Sequence, residues 1–160
     1  MSVPYPAHMK LAEALITRAD LQKRAAQLEE RLVKNLLVQE GEAPAEDPQA
    51  LLREFMEVTA QLEALLPRIH RANLSATLPG GETITDALTR RDLLDLRLKV
   101  LRRAAATDSE RPTRYSNSEV RILSALPARD LQAQVDTLAK ARRELDTQLQ
   151  QANWLTDLPG

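Results

Sequence analysis

The sequence predicts a mainly α-helical protein with helical hairpins in a four-helix bundle-like arrangement, plus a small β-hairpin and one strand. Two observations predict the helices. Aromatic residues are scarce, with one Phe, one Trp and two Tyr in 160 residues, so leucine, alanine, isoleucine and valine must form the core, as they do between helices. Leucines also recur at spacings of three and four over long stretches, which is typical of a helix with one apolar face.

The first helical hairpin is predicted from residues 10–38 and from a second helix that begins near Pro48. Asp47 is the expected N-cap, since its carboxylate can accept an orphan backbone amide and proline is favoured in the first turn. The short connection predicts antiparallel packing. Pro67 predicts a kink or an end in the second helix. Asn35, beside the apolar face of the first helix, is predicted to fix register.

The β element is predicted from the stretch "ATLPGGETITDAL" at residues 76–88. Residues 76–78 and 82–84 flank the turn Pro79-Gly80-Gly81, which favours a hairpin over a phosphate-binding loop, because Glu82 would repel phosphate. Alternation over residues 119–126 predicts a strand. Because a lone strand needs a partner, we expect these segments to form one small sheet.

The second helical hairpin is predicted from a third helix capped by Thr85, with Asp86 in its first turn, and a last helix over residues 128–153. The last helix has a coiled-coil seam in which Arg142 is the charged position, so Arg142 is expected to meet a carboxylate or water. The apolar face of the third helix is broad enough to predict contacts on two sides. Its members are Leu88, Leu93, Leu94, Leu96, Leu98, Val100 and Leu101.

Several segments carry a resemblance to a known family, namely "MKLAEAL", "RADLQKR", "QEGEAPAEDP", "RYSNSEV" and "ANWLTDL". Over residues 9–158 the chain resembles the septicolysin-like family of small bacterial proteins. The resemblance implies a shared helical fold, and the family name implies a pore-forming cytolysin. We expect residues 1–9 to be an N-terminal tail and residues 10–158 to form a single helical domain.

The residue types argue against an enzyme. There is no cysteine, and the two histidines, His8 and His70, do not lie in the spacing of a catalytic triad. Pro67 stands three positions before His70, where a Glu-x-x-His metal motif needs glutamate. The sequence therefore predicts no catalytic residue, no metal, no cofactor and no small-molecule ligand. Without an apolar leader or an uncharged run of about 18 residues, a cytoplasmic location is expected.

Arginines concentrate in the third helix and just beyond it. Residues 88–122 carry nine bases against five acids, whereas residues 40–66 carry seven acids against one base. The predicted polyanion-binding or ion-pairing surface consists of Arg90, Arg91, Arg97, Arg102, Arg103 and Arg114. Asp92 and Asp95 interrupt this cluster and only Tyr115 offers a ring for base stacking, which argues against nucleic-acid recognition.

The rare rings and the seam leucines predict an anchor or interface. This set is Trp154, Tyr115, Leu138, Leu145 and Leu149. A buried ring contributes about 2 to 3 kcal/mol, which makes such residues typical interface anchors. The leading hypothesis is a non-enzymatic protein that associates with itself into a homo-oligomer. The alternatives are a membrane-active, pore-forming protein and a binder of anionic polymers.

Overall fold

The computed structural model of the chain describes residues 8–109 and 124–160. Those residues form four α-helices and no β-sheet: α1 (Leu11–Asn35), α2 (Pro48–Ser75), α3 (Ile84–Ser109) and α4 (Ala128–Leu155). The mainly α-helical prediction is confirmed. The chain divides into two compact units, one of described residues up to Thr77 with Gln151–Gly160, and one of Leu78–Gln150.

The sequence predicted the start of α2 and left two outcomes open at Pro67, a kink or an end. The Asp47 side chain accepts the backbone amide of Gln49 at 3.0 Å, so the N-cap is confirmed. The helix continues through Pro67 to Ser75, so an end at the proline is wrong. Leu65 and Ile69 on either side of Pro67 are fully buried, and their packing outweighs the one backbone hydrogen bond that proline removes.

Residues 76–84 do not form the predicted β-hairpin. The turn is closed by two backbone hydrogen bonds, from Leu78 to the Glu82 carbonyl at 2.8 Å and from Gly81 to the Leu78 carbonyl at 2.9 Å. Gly81 has a φ of +83°, which glycine adopts without strain. Helix α3 starts at Ile84, whose side chain is buried. The second arm was therefore too short to be a strand, because its β-branched residues begin a helix.

The cap of α3 is Thr83 rather than the predicted Thr85. The Thr83 hydroxyl accepts the backbone amide of Asp86 at 3.1 Å and donates to the Asp86 carboxylate at 2.8 Å. Asp86 lies in the first turn, as predicted. Helix α1 begins in a comparable way, because the backbone amide of Lys10 donates to the Glu13 carboxylate at 2.8 Å. A carboxylate three residues after the cap thus starts both helices.

The predicted strand over residues 119–126 lies partly outside the described residues, which resume at Ser124. Residues 124–126 form a bend rather than a strand. The Ser124 hydroxyl donates to the carbonyl of Leu126 at 2.6 Å, a local bond that competes with extended pairing. The predicted sheet is therefore wrong for the described part of both segments.

The first unit is closed by the segment that follows α4. The backbone amide of Leu158 donates to the Met9 carbonyl at 2.8 Å, and the amide of Leu11 donates to the Thr156 carbonyl at 2.9 Å. Met9, Leu11 and Leu158 are buried there. Arg68 of α2 donates from Nε to the carbonyl of Pro159 at 2.7 Å. The segment is therefore held by backbone pairing and by burial.

Asn35 joins the end of α1 to the connection that leads into α2. It is the buried polar residue among the described core residues. Its Nδ2 donates to the Arg31 carbonyl at 2.9 Å, and its Oδ1 accepts the backbone amide of Glu46 at 3.0 Å. Asn35 therefore positions the α1–α2 connection through its backbone, whereas the prediction gave it a register role on the apolar face.

Arg142 finds the carboxylates that its seam position was predicted to need. Its Nε donates to Asp95 Oδ1 on α3 at 2.8 Å, and its Nη1 lies 3.1 Å from Asp146 Oδ1 on α4. The hydrogen bond that Arg142 donates to Asp95, followed by the one to Asp146, raises the pKa of Arg142 above its ordinary value. The pair ties α3 to α4 within the second unit.

The two helical hairpins are similar to one another in sequence and in local structure. The segments "ANLSATLPG" (72–80) and "ANWLTDLPG" (152–160) end α2 and α4 with the same Ala, Asn, Leu, Pro and Gly at an offset of 80 residues. In each segment the leucine is buried, and its backbone amide donates at 2.8 Å to a carbonyl two residues before the first helix of a hairpin. The accepting residue is Glu82, before α3, for Leu78 and Met9, before α1, for Leu158.

The first helices of the two hairpins correspond at an offset of 73 residues. Buried Leu11 and Ala14 of α1 correspond to buried Ile84 and Ala87 of α3. The second helices correspond at the offset of 80. The buried pairs there are Leu51 and Leu131, Leu65 and Leu145, Ile69 and Leu149, and Ala72 and Ala152. The same internal positions are thus filled twice, and differences between equivalent exposed positions are not required by the fold.

Candidate interaction surface

Helix α3 carries apolar side chains on two sides, one buried and one exposed, so the predicted contact on the second side stays a prediction. Leu94 and Leu98 are buried, whereas Leu93, Leu96 and Val100 are 47%, 56% and 59% exposed. These three exposed residues, at helical spacings of three and four, form what we call the α3 stripe. A contiguous exposed apolar patch on a charged helix is typical of an interaction site.

The equivalent positions of α1 show that the fold does not require this stripe. At the offset of 73 residues, Leu93, Leu96 and Val100 correspond to Asp20, Lys23 and Gln27, all exposed. The first hairpin therefore presents a polar outer face where the second presents an apolar one. The difference marks the α3 stripe as a specialised surface of the second hairpin.

A groove of about 280 Å³ lies along α4 of the same hairpin. It is lined by Ala133, Gln134, Thr137 and Leu138, which we call the α4 groove. Three of the equivalent positions of α2 hold charged residues, Arg53, Glu54 and Glu57, and the fourth holds Val58. Ala133 and Thr137 are smaller than Arg53 and Glu57, and none of the four groove residues is charged, so the groove is also a feature of the second hairpin.

An ion pair between the two helices of the first hairpin has only one of its two charged residues at the equivalent positions of the second hairpin. Arg24 of α1 donates from Nη2 at 2.6 Å and from Nε at 3.0 Å to Glu54 Oε1 of α2. The equivalent residues are Arg97 on α3 and Gln134 in the α4 groove. Arg97 is exposed and forms no ion pair with any residue in the two described ranges. The second hairpin thus keeps the cation and lacks the carboxylate.

The predicted cation cluster divides into paired and unpaired members. Arg90 lies 2.6 Å from the Glu82 carboxylate, and Arg91 lies 2.9 Å from that of Asp92. Arg97, Arg102 and Arg103 are exposed and have no carboxylate partner within residues 8–109 and 124–160. Arg114 lies outside the described residues. The cations free to meet another molecule are therefore on the distal part of α3.

The predicted anchor residues have different environments. Leu145 and Leu149 are buried within the chain, so they serve as core anchors, and Leu138 is half-buried in the α4 groove. Trp154 is 56% exposed, so it is no core anchor. Tyr115 lies outside the described residues. Of the four members of this set that the structure describes, Leu138 and Trp154 are the ones that another molecule can reach.

Two other kinds of site, a metal site and a membrane-spanning helix, are not found among the described residues. Nowhere in residues 8–109 and 124–160 do three histidine, aspartate or glutamate side chains gather as a metal site would need. None of the four helices, over the part that the structure describes, combines the length and apolar character of a membrane span.

Sequence reasoning found Arg97 and the breadth of the α3 face but missed Gln134 and the groove. Neither glutamine nor small residues attract notice in a helix. The signal that identifies them is the repeated segment at 72–80 and 152–160, because it aligns Gln134 with Glu54. Only the comparison of equivalent positions shows which side chains have changed.

Two similar helical hairpins, whose exposed residues differ at equivalent positions, define a mainly α-helical protein of duplicated hairpins. The chain belongs to DUF6847, a family of unknown function, which matches residues 18–158. It is similar to the crystal structure of a functionally unknown conserved protein from Corynebacterium diphtheriae, with 37% identity and a TM-score of 0.87 over 94% of this chain and 99% of that one. A comparison with curated proteins gives no match.

Proposed function

We propose that this protein is non-enzymatic and acts by self-association, with the second hairpin providing the contact surface for another copy. The observation that carries the proposal is the α3 stripe. Leu93, Leu96 and Val100 are exposed where the equivalent residues of α1 are polar. When a second surface buries apolar area of this kind, the complex is stabilised by about 25 cal/mol for each Å² removed from water.

The α4 groove supports the same proposal. A partner helix needs a depression that receives its side chains, and the groove at Ala133, Gln134, Thr137 and Leu138 offers one on the hairpin that carries the stripe. A mixture of apolar stripe, shallow groove and peripheral cations is typical of an interface with an apolar centre and a charged rim.

The test is the solution mass of the purified protein, measured by light scattering after gel filtration over a range of concentrations. We expect the wild type to exceed the 17.9 kDa of a single chain. Leu96→Glu should shift the mass towards that of one chain, since a carboxylate in the stripe must be desolvated on contact.

The matched control is Lys23→Glu, which introduces the same carboxylate at the equivalent exposed position of α1. It should leave the mass unchanged. Circular dichroism should show all three proteins equally helical. A wild type that has the mass of one chain at every concentration, or a Leu96→Glu variant that associates like the wild type, would overturn the proposal.

A second function, binding of anionic polymers, is favoured by the unpaired cations. Arg97, Lys99, Arg102 and Arg103 form a run of α3 without an acid, and none has a carboxylate partner among the described residues. Such a surface releases counterions from a polyanion, so its binding weakens steeply with salt. Retention on heparin should then fall in Arg102→Ala/Arg103→Ala, and equal elution of the variant and wild type would contradict this function.

A further inference from the structure

The first hairpin also has an exposed apolar surface, on α2. On α2, Leu52 and Met56 are exposed one helical turn apart. The equivalent residues of α4 are Gln132 and Asp136, which hydrogen-bond to each other at 2.9 Å. The first hairpin therefore has an apolar outer surface on α2 where the second hairpin is polar. The exposed apolar surface thus lies on the second helix of the first hairpin, α2, and on the first helix of the second hairpin, α3.

The two apolar surfaces have opposite charge. From Leu52 to Leu66, α2 contains three acids and one base, Arg53, whereas from Leu93 to Arg103, α3 contains four bases and one acid, Asp95. Glu63 continues the line of Leu52 and Met56 on α2, seven residues beyond Met56. Glu63 is exposed and, like Arg97, has no ion-pair partner among the described residues.

The spacing of these residues also matches. Met56 and Glu63 are seven residues apart, as are Leu93 and Val100, which corresponds to about 10 Å along either helix. If Met56 packs on Leu93 and the two helices run parallel, Glu63 comes level with Val100. There it lies within about one helical turn of Arg97. Leu52, Met56 and Leu93 are each exposed, so both surfaces are open to another copy.

We propose that α2 of a second copy docks on the α3 stripe, with Leu52 and Met56 on the apolar residues and Glu63 as the carboxylate that pairs with Arg97. This contact rests on the self-association proposed above. The partner's Glu63 supplies the charge that Glu54 supplies to Arg24 within the first hairpin, and that Gln134 cannot supply. In a two-fold dimer the same contact is made twice, which doubles its contribution.

A charge exchange tests the pairing. Arg97→Glu and Glu63→Arg are made singly and together, and the dissociation constant of the assembly is measured by sedimentation equilibrium. Each single change places like charges opposite one another and should weaken association roughly tenfold or more. The double variant restores opposite charges with exchanged sides, so it should recover most of the wild-type affinity.

Arg129→Glu serves as the control, because it reverses an exposed charge on α4 without touching either surface and should leave the affinity unchanged. A wild type with the mass of one chain would overturn self-association itself, and this contact with it. An associating wild type whose affinity is insensitive to the single changes, or is not recovered in the double variant, would overturn only the pairing of Arg97 with Glu63.

Discussion

The carbonyl oxygen of Met9 accepts the backbone amide of Leu158 at 2.8 Å, which closes the first unit with a segment that follows α4. The bond has a counterpart of the same length between Leu78 and Glu82. In both places the leucine side chain is buried. The closure is therefore a repeated device, in which a buried leucine fixes the segment and its amide satisfies a carbonyl before a helix.

Leu158→Ala should destabilise the protein, because it empties a buried site and loosens the closure. We expect the free energy of unfolding to fall by about 2 to 5 kcal/mol. Urea unfolding followed by circular dichroism measures this change. Leu155→Ala, at an exposed leucine three residues earlier, should change it by less than about 0.5 kcal/mol. Equal unfolding midpoints for the two variants would contradict a stabilising closure.

The ion pair beside this closure predicts a pH dependence. Lys10 Nζ lies 2.7 Å from Asp157 Oδ1, and its hydrogen bond and charge lower the pKa of Asp157 below the ordinary 3.8. Since the carboxyl is more acidic in the folded state, its contribution to stability is complete above pH values near 3.8 and is lost as the pH falls through the lowered pKa.

The measurement is the melting temperature of Asp157→Asn and of the wild type at several pH values. The wild type should melt higher at pH 6, by a small margin because both side chains are exposed. That margin should shrink as the pH falls below 3.8. Asp20→Asn, at an exposed aspartate of α1, should show no such convergence. A margin for Asp157→Asn that stays constant down to pH 2 would exclude the ion pair as its source.

The helices were predictable from sequence because their signals are local. Leucine spacing marks the buried faces, and Asp47 before Pro48 marks a helix start, so these elements follow from residues a few positions apart. The error at residues 76–84 has the same origin. A Pro-Gly-Gly turn shows that the chain reverses, but whether Ile84 pairs as a strand or begins a helix depends on the core that buries it.

The candidate surface was harder to predict because its signal is a difference between distant residues. In the sequence, Leu96 cannot be distinguished from a leucine of the core. Whether it is exposed depends on which side of α3 is packed in the fold. Gln134 acquires meaning only beside Glu54. The resemblance to the septicolysin-like family, and the membrane activity it implies, stays a prediction, since the matched family is of unknown function.

Asn35 predicts a stability effect from a buried amide. Its side chain holds the Arg31 carbonyl and the Glu46 amide at 2.9 and 3.0 Å. Asn35→Ala leaves that backbone amide without its acceptor, so the free energy of unfolding should fall by about 1 to 3 kcal/mol. Chemical denaturation measures the loss, and hydrogen exchange of the Glu46 amide should accelerate.

The control for Asn35 is Gln27→Ala, which removes an exposed amide from the same helix. We expect a change within about 0.5 kcal/mol, because water replaces the contacts of an exposed side chain. If Asn35→Ala were as stable as Gln27→Ala and the Glu46 amide exchanged at the wild-type rate, the α1–α2 connection would not depend on this side chain.

Trp154 predicts a spectroscopic signature of association. It is the one Trp of the sequence and is 56% exposed, so its fluorescence reports on a single surface site. If it anchors an interface, dilution of the assembly should move its emission to longer wavelength as the ring meets water. Trp154→Ala should lower the mass and leave the free energy of unfolding of the separated chain within about 0.5 kcal/mol of the wild-type value.

Leu74, the equivalent exposed residue of α2, provides the comparison, since Leu74→Ala removes apolar area from the other hairpin. An emission that stays constant while the mass falls on dilution would place Trp154 outside the interface.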